Sequence, residues 1–209
     1  GFEINVRRIR QNPRITVHTL ATVEEISGHA GDFKARIKSR PRYVTGEHSL
    51  DDSMIESLTS ERDNDFNFGM DTRKGIYMPH PMAFPNQCVV DPAVASGGEG
   101  QAIKDALPAG HVELDQQAET VSLDVGAIIM ATGWSPYDPN NMDNLKFSQF
   151  DNVVTNMMVE RMASPSGPTG GKVLRPSDKE EPKTVGFVQC AGSRDKDHLR
   201  YCSYICCMA

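Results

Sequence analysis

Alternating apolar and polar residues near the start of the chain indicate β-strands with one wet face. The alternation runs from Ile15 to Leu20 and from Phe33 to Lys38, with a further strand-like run from Thr22 to Ser27 between them. The segment from Gly28 to Asp32 separates the last two runs and holds residues that favour turns. We therefore predict a β-meander over residues 14–44.

Two unbroken apolar runs predict strands of another kind, buried on both faces as in a parallel sheet. The first extends from Val125 to Ala131, and the second extends from Thr184 to Gln189 and delivers Cys190 at its carboxyl end. Open α/β sheets build their ligand sites beyond the carboxyl ends of strands. The pattern thus predicts an α/β fold in which Cys190 stands where such folds bind ligands.

The remaining segments are short or polar. Four segments have helical patterns: 50–58, 101–107, 153–163 and 199–208. Asp51 or Ser53 is expected to cap the first of them. Residues 45–75 are polar and acidic, which predicts a surface excursion, and residues 164–183 are a connector rich in Pro, Gly and Ser.

Composition and charge narrow the function classes. Of the 209 residues 38% are hydrophobic, enough for a core, and the net charge of -6 disfavours nucleic acid as the main partner. The longest apolar stretch is far below the roughly 20 residues of a membrane helix, so we do not expect the chain to span a bilayer. The chain opens at Gly1 without Met and stops at Ala209, just beyond Cys207, which suggests an internal fragment. No export signal is visible, which favours a reducing cytoplasm.

Four of the five cysteines lie in the last twenty residues, in the order C-x11-C-x3-C-C: Cys190, Cys202, Cys206 and Cys207. Structural zinc is commonly held by paired knuckles such as C-x2-C, which the chain lacks, whereas iron-sulfur clusters accept more varied spacing. We therefore predict a 4Fe-4S cluster, with structural zinc and redox-active thiols as alternatives. On the predicted last helix Cys202 and Cys206 share one face. Cys88 is expected to be a small buried hydrophobe.

The apolar run ending at Gly133 is the candidate flavin segment. The run ends in Ala131, Thr132 and Gly133. This ending is typical of flavoproteins with two dinucleotide-binding domains, in which the backbone at this point approaches FAD. Glycine permits the approach because it has no side chain. Trp134 follows directly and is a candidate to stack near the cofactor. An ordinary buried strand with a glycine turn is the alternative.

Other motifs exclude functions. Ser166 to Lys172 has the outline of a phosphate loop, but Ser166 replaces its first glycine and Val173 follows the lysine. No G-x-G-x-x-G turn occurs, and the six histidines form no metal-ligand pair. We assign no histidine a catalytic role and name no catalytic residue.

Three parts of the sequence together resemble the A-subunit family of heterodisulfide reductases: Ala131 to Asp138, Ser166 to Asp178, and Gln189 to Asp195 with Tyr201 to Met208. Within that family the chain most resembles the branch found in the quinone-interacting membrane-bound oxidoreductase of sulfate reducers. Many members carry a ferredoxin-like cysteine insert after a segment like Arg40 to Val44, whereas residues 45–75 here hold no cysteine.

The resemblance implies a partial FAD/NAD(P)-binding fold, similar to thioredoxin reductase, with its N-terminal and C-terminal parts missing. Residues 1–135 would belong to the FAD-binding domain, 136–183 would be the connector, and 184–209 would start a second dinucleotide-type domain. The four clustered cysteines would hold the 4Fe-4S cluster.

The resemblance also implies a function and a set of partners. The chain would pass electrons between FAD and the cluster, linking the quinone pool to adenylylsulfate reductase. Its partners would be a membrane haem subunit together with a second flavin and iron-sulfur subunit. The protein would be cytoplasmic and peripheral to the inner membrane through those partners. The alternative functions are a flavin-dependent thiol/disulfide oxidoreductase and a zinc-stabilised scaffold subunit.

Overall fold

The computed structural model describes residues 2–45, 50–202 and 204–207. The chain divides into two compact units, Gly1–Phe66 with Thr72–Met130, and Asn67–Asp71 with Ala131–Ala209. The first unit contains α1 (Phe2–Gln11), β1 (Ala21–His29), β2 (Asp32–Ser39), α2 (Asp52–Glu56), β3 (Glu61–Asp63), β4 (Thr72–Lys74), β5 (Ile76–Tyr77), β6 (Val89–Val90), α3 (Pro92–Ala95), α4 (Gly98–Ala106) and β7 (Glu119–Val125). The second unit contains α5 (Asn156–Ala163) and 3-10 turns at Pro139–Asn141, Asp143–Leu145, Phe147–Gln149 and Ile205–Cys207.

A three-stranded antiparallel sheet in the order β1-β2-β7 is the most regular part of the first unit. Its apolar residues align in rows across the strands: Val23, Ile37 and Val121 in one row, and Ile26, Ala35 and Leu123 in the next. A bulge between Val23 and Glu25 keeps Val23 and Ile26 on the same face although they are three residues apart. The mixed α/β class and an antiparallel sheet in the predicted meander are therefore confirmed, although one of the three strands comes from outside residues 14–44.

The strands of the meander differ from the predicted set at one end. The predicted hairpin is present, because β1 ends at His29 and β2 begins at Asp32. The predicted strand from Ile15 to Leu20 is wrong, since these residues are irregular and Leu20 has a φ of 52° in the left-handed region. The third strand is β7, where Val125 pairs with Phe33.

The hydrophobic core of the first unit is built from short elements, and its buried members are Val44, Leu50, Leu58, Ile76, Cys88, Val90, Val94, Ile103, Leu107 and Val112. Cys88 is 4% exposed, as predicted for a small buried hydrophobe. The predicted surface excursion is corrected in part, because Leu50 and Leu58 bury their side chains in this core. Residues 46–49 of that segment lie outside the described residues.

Capping residues set the starts of two of the predicted helices. Asp51 caps α2 by accepting a hydrogen bond from the Ser53 amide at 3.0 Å. The predicted helix over 153–163 begins later, at Asn156, because the Thr155 hydroxyl accepts a hydrogen bond from the Met158 amide at 3.2 Å. Among the described residues, no helix is both long and apolar enough to cross a membrane.

A shielded ion pair fixes α3 to β4 in the first unit. The Arg73 guanidinium donates to the Asp91 carboxylate at 2.9 Å, and these side chains are 11% and 14% exposed. The same guanidinium lies 3.6 Å from the centre of the Tyr77 ring. Asp91 also accepts a hydrogen bond from the Ala93 amide at 2.9 Å and so caps α3.

The two predicted parallel strands are absent. Residues 127–131 and 184–188 have no regular secondary structure, and neither segment is paired with a strand among the described residues. Ile129 is 90% exposed and Phe187 is 79% exposed. A strand of a parallel sheet is buried because strands pair beside it and helices cover its faces. The two runs are apolar in sequence, but the prediction that they form buried strands is wrong.

Candidate metal centre

The chain from Cys190 to Cys202 folds back on itself. The Ser193 amide donates to the Cys190 carbonyl at 3.1 Å and forms the first turn. Farther along, the Asp195 amide donates to the Leu199 carbonyl at 2.8 Å, and the Arg194 amide donates to the Tyr201 carbonyl at 3.2 Å. The eleven residues between Cys190 and Cys202 are therefore a closed loop, which returns the chain towards its start. We call residues 190–207 the cysteine loop.

Left-handed backbone is concentrated in the cysteine loop. Cys190, Arg194 and Tyr204 have φ values of 64°, 55° and 64°, and none of them is glycine. Each such residue costs of order 1–2 kcal/mol relative to ordinary backbone. Residues in this conformation persist where their surroundings impose it, and they are frequent at ligand sites.

The predicted last helix is wrong. Leu199 to Cys202 is irregular, and the only helical turn in the described part of this segment is the 3-10 turn Ile205–Cys207. Tyr204 interrupts any helix because an α-helix needs a φ near -60°. Cys202 and Cys206 consequently do not share a helix face. Met208, the end of the predicted helix, lies outside the described residues.

The four cysteines of the loop are free thiols. Cys190, Cys202 and Cys206 are partly buried and Cys207 is exposed. The pKa of Cys207 is raised, chiefly by the neighbouring charge of Cys206, then by partial loss of hydration and by the charges of Cys202 and Cys190. The charges of all three other cysteines of the loop thus act on Cys207 in the same direction.

The thiols do not converge on one point. Among residues 2–45, 50–202 and 204–207, no group of three or more His, Cys, Asp or Glu side chains is arranged to hold a metal ion. The donor chemistry nevertheless fits a four-thiolate centre, because four sulfur atoms come from one loop. The Tyr204 amide also donates to the Cys202 sulfur at 3.4 Å, the kind of hydrogen bond that tunes thiolate-bound clusters. Zinc would accept the same four ligands.

An open depression of about 460 Å³ adjoins the first ligand candidate. It is lined by Met142, Cys190, Ser193, Arg194, Asp195 and Lys196. Arg194 and Lys196 place positive charge beside Cys190, and Asp195 offsets part of it. Cys190 thus stands beside charged side chains of both signs.

The predicted flavin segment is exposed. Ala131, Thr132, Gly133 and Trp134 are irregular in conformation, and Trp134 is 69% exposed. Gly133 has a φ of 70°, so the chain turns there in a way that suits glycine. Four exposed residues do not enclose a flavin, and this segment on its own does not fit a complete flavin site. It can offer backbone to one edge of a cofactor and no more.

Sequence reasoning missed two residues that pack within the cysteine loop. Gly192 is buried, and a Cβ atom placed on it would overlap the ring of Tyr137. The Tyr137 ring in turn lies 4.9 Å from the ring of His198, between centres. Neither residue belongs to a spacing motif. Both lie in segments that carry the family resemblance, Ala131 to Asp138 and Gln189 to Asp195, and this was the signal that could have found them.

The chain is similar to A subunits of heterodisulfide reductases. The A subunit of the ferredoxin/F420H2-dependent CoB-CoM heterodisulfide reductase of Methanosarcina acetivorans is 39% identical over 205 residues, which is 96% of this chain and 26% of that protein. The A subunit of the H2:CoB-CoM heterodisulfide,ferredoxin reductase of Methanothermobacter marburgensis is 38% identical over 202 residues, 96% of this chain and 30% of that protein.

A third relative is one of two iron-sulfur A subunits of the CoB-CoM heterodisulfide reductase of Methanopyrus kandleri, which is 37% identical over 202 residues, 96% of this chain and 30% of that protein. The chain spans between a quarter and a third of the length of these relatives, which are 26% to 30% covered. No protein-family model matches the chain.

Proposed function

Because the chain belongs to the A-subunit family of heterodisulfide reductases, we propose that it is part of an oxidoreductase subunit that transfers electrons through a 4Fe-4S cluster. The four cysteines of the loop would hold the cluster. The observation that carries this proposal is that one folded-back loop supplies all four free thiols, because main-chain hydrogen bonds from Asp195 to Leu199 and from Arg194 to Tyr201 return the chain from Cys190 towards Cys202. The relatives, which are heterodisulfide reductase subunits by name, support the oxidoreductase class.

The residues of the loop have separate tasks in this proposal. A bound cluster would supply one-electron transfer without proton chemistry at its ligands. The thiolates of the loop hold it, and the Tyr204 amide, at 3.4 Å from the Cys202 sulfur, reduces the negative charge on that ligand. Arg194 and Lys196 beside Cys190 lower the cost of gathering negative charge at that end of the loop.

We also propose that Ala131, Thr132, Gly133 and Trp134 contribute one edge of an FAD site. Gly133 allows backbone to approach a ligand because it has no side chain, and its φ of 70° turns the chain away after the approach. The exposed Trp134 ring is available for stacking. FAD would supply the exchange between electron pairs and the single electrons that a cluster carries.

The finer assignment is the quinone-linked branch of the family. Residues 45–75 contain no cysteine, and this segment places Leu50 and Leu58 in a hydrophobic core rather than ligands at a cluster. In that branch the protein would exchange electrons between the quinone pool and adenylylsulfate reductase. Its partners would be a membrane haem subunit together with a second flavin and iron-sulfur subunit. It would be cytoplasmic and held at the inner membrane through them. Residues 1–135, 136–183 and 184–209 would be its domain segments.

The first experiment measures the metal. Full-length protein prepared without oxygen should contain flavin, and Cys202→Ser should lower its iron and acid-labile sulfide by about four atoms each. The matched control is Cys88→Ala, which removes a cysteine from the core and should leave the iron unchanged. If the wild-type protein contains zinc instead of iron, the assignment of a 4Fe-4S cluster is wrong and the zinc-stabilised scaffold function is favoured.

A second experiment separates the electron acceptors. The names of the relatives point to the CoB-CoM heterodisulfide, so this substrate is the alternative to a quinone. The full complex should reduce or oxidise a quinone analogue and leave CoB-CoM heterodisulfide unreduced. If the complex turns over only the heterodisulfide, the quinone-linked assignment is wrong, and the proposed electron transfer through a 4Fe-4S cluster still stands.

The thiol/disulfide alternative is the weaker one on this geometry. A thiol that attacks disulfides needs a low pKa, whereas the exposed Cys207 has a raised pKa. Its neighbour Cys206 is partly buried and holds a free thiol. Two alkylatable cysteines in an iron-free wild-type protein would favour this alternative.

A further inference from the structure

Tyr137 packs against the cysteine loop at Gly192 and His198. An ideal Cβ atom on Gly192 would overlap three carbons of its ring, Cγ, Cδ2 and Cδ1, the last of them at 2.8 Å. Real Cβ atoms do not approach other atoms so closely, so the ring packs directly on the backbone at Gly192. The ring also stands 4.9 Å from the His198 ring, with an angle of 46° between the two planes.

The two contacts fall on opposite arms of the loop. Gly192 belongs to the arm that leaves Cys190, and His198 belongs to the arm that returns to Cys202. The two arms are joined by main-chain hydrogen bonds from Asp195 to Leu199 and from Arg194 to Tyr201. Leu199 and Tyr201 are 38% and 64% exposed, so water competes for these bonds. An aromatic ring that contacts both arms is an additional restraint that water does not replace.

Gly192 is suited to this contact for two reasons. Its φ of 74° lies in the left-handed region, where a side chain is strained. It is also buried, and the Tyr137 ring occupies the space that a side chain would need. The contact therefore specifies glycine at one position and a flat ring at the other.

We propose that Tyr137 and Gly192 are positioning residues for the 4Fe-4S cluster: the ring of Tyr137, seated on Gly192 and beside His198, holds together the two arms of the loop that carry Cys190 and Cys202. This inference rests on the proposed function. It also links the two candidate cofactor segments, because Tyr137 is four residues after Gly133.

The test uses full-length protein with its cluster and measures the rate at which a chelator removes iron. Tyr137→Ala should lose iron about tenfold faster than wild type, the size expected for a lost aromatic contact. Tyr137→Phe should behave like wild type, because the contact is made by ring carbons. Phe150→Ala is the matched control, since it removes another aromatic residue of the same unit that is 62% exposed.

Gly192→Ala tests the other half of the contact and should also release iron faster. Both substitutions act on one contact, so the double variant Tyr137→Ala with Gly192→Ala should lose iron no more than about twofold faster than the worse single variant. If the rate of iron loss in the double variant equals the product of the two single effects, the two residues do not act through one contact and the inference is wrong. The electron paramagnetic resonance spectrum of the reduced cluster should change in Tyr137→Ala and stay unchanged in Tyr137→Phe, which a general loss of stability does not produce.

The outcomes separate the two claims. If wild type contains the cluster and Tyr137→Ala keeps its iron as well as Phe150→Ala does, the positioning role is wrong and the proposed function stands. If wild type prepared without oxygen contains no iron, the proposed function fails and the positioning role fails with it. A Tyr137→Phe protein that loses iron like Tyr137→Ala would also overturn the inference, since it would assign the effect to the hydroxyl.

Discussion

The ion pair between Arg73 and Asp91 gives the most direct test of the energetics of the first unit. Asp91→Asn removes the charge and leaves the Arg73 guanidinium, which is 11% exposed, without its close partner. Breaking a buried pair by removing one partner costs about 3–5 kcal/mol. Asp65 reduces that cost, because its carboxylate stands 3.7 Å from the same nitrogen of Arg73. We therefore expect Asp91→Asn to lower the free energy of local opening by about 2 kcal/mol.

Asp91→Ala removes a second interaction and should cost more. The carboxylate also caps α3 through the Ala93 amide at 2.9 Å, and asparagine can replace it in that role whereas alanine cannot. Loss of such a cap costs about 1 kcal/mol. The expected total for Asp91→Ala is about 3 kcal/mol, and the difference between the two variants reports the cap.

Hydrogen exchange is the suitable assay, because it reads the opening of one region without requiring the whole chain to unfold in a single step. The Asp91 amide, which donates to the Gly75 carbonyl at 2.8 Å, and its neighbours report the region directly. They should exchange about 30-fold faster in Asp91→Asn and more than about 100-fold faster in Asp91→Ala.

The control is another ion pair of the same unit with similar geometry and more exposure. Arg62 donates to Glu99 at 2.6 Å, with side chains that are 39% and 50% exposed. Arg62→Ala should change the local opening energy by less than about 1 kcal/mol. If Asp91→Asn opens the region no more than Arg62→Ala does, the argument from burial is wrong.

The same pair predicts a pH dependence. Burial by itself would raise the pKa of Asp91, but hydrogen bonds from Arg73 and the Ala93 amide, with the charge of Arg73, lower it overall. A lowered folded pKa gives stability that is fully present above the unfolded value of about 3.9 and is lost as the pH falls through the folded pKa. The difference in the free energy of local opening between wild type and Asp91→Asn should therefore be constant at neutral pH and shrink below about pH 4.

Three further predictions concern single side chains. Thr155→Ala should destabilise α5 by about 1 kcal/mol, seen as faster exchange of the Met158 amide, while Thr155→Ser should keep the cap. Burial raises the pKa of Cys88, so iodoacetamide at about pH 8 should label it only after the core unfolds; labelling of the native protein at the rate of an exposed thiol would contradict this. Trp134 is the only tryptophan and is 69% exposed, so acrylamide should quench the 209-residue chain almost as well as free tryptophan. Shielding in the flavin-loaded full-length protein would support a place beside FAD, and unchanged quenching would oppose it.

Local signals in the sequence were sufficient for part of the fold. The hairpin of β1 and β2 has its turn between them, so alternation and turn residues together specify it. The N-cap Asp51 fixes the start of α2 by a hydrogen bond to the Ser53 amide, as predicted, whereas the Thr155 cap was not predicted and α5 begins three residues later than expected. The burial of Cys88 followed from its isolation from the other cysteines.

Non-local pairing could not be predicted in the same way. β7 joins the meander through partners such as Phe33 and Val125, which are far apart in the sequence, and alternation does not name a partner. The last helix failed for a related reason. Its apolar spacing was adequate, but the loop hydrogen bonds and the left-handed Tyr204 impose another backbone. The four cysteines were found from their spacing and remain ligand candidates, whereas their geometry depends on that backbone.

The exposed apolar runs explain why both candidate cofactor segments are only partly formed. Ile129 and Met130, which are 90% and 69% exposed, directly precede Ala131, and Phe187 and Val188, which are 79% and 69% exposed, closely precede Cys190. Burying each of these side chains fully would contribute about 1.5–3 kcal/mol. In an open α/β sheet the residues after a strand take their position from that strand. Pairing of the two runs with neighbouring strands would therefore order both segments at once, because the flavin turn and the first thiolate each begin where one of these runs ends.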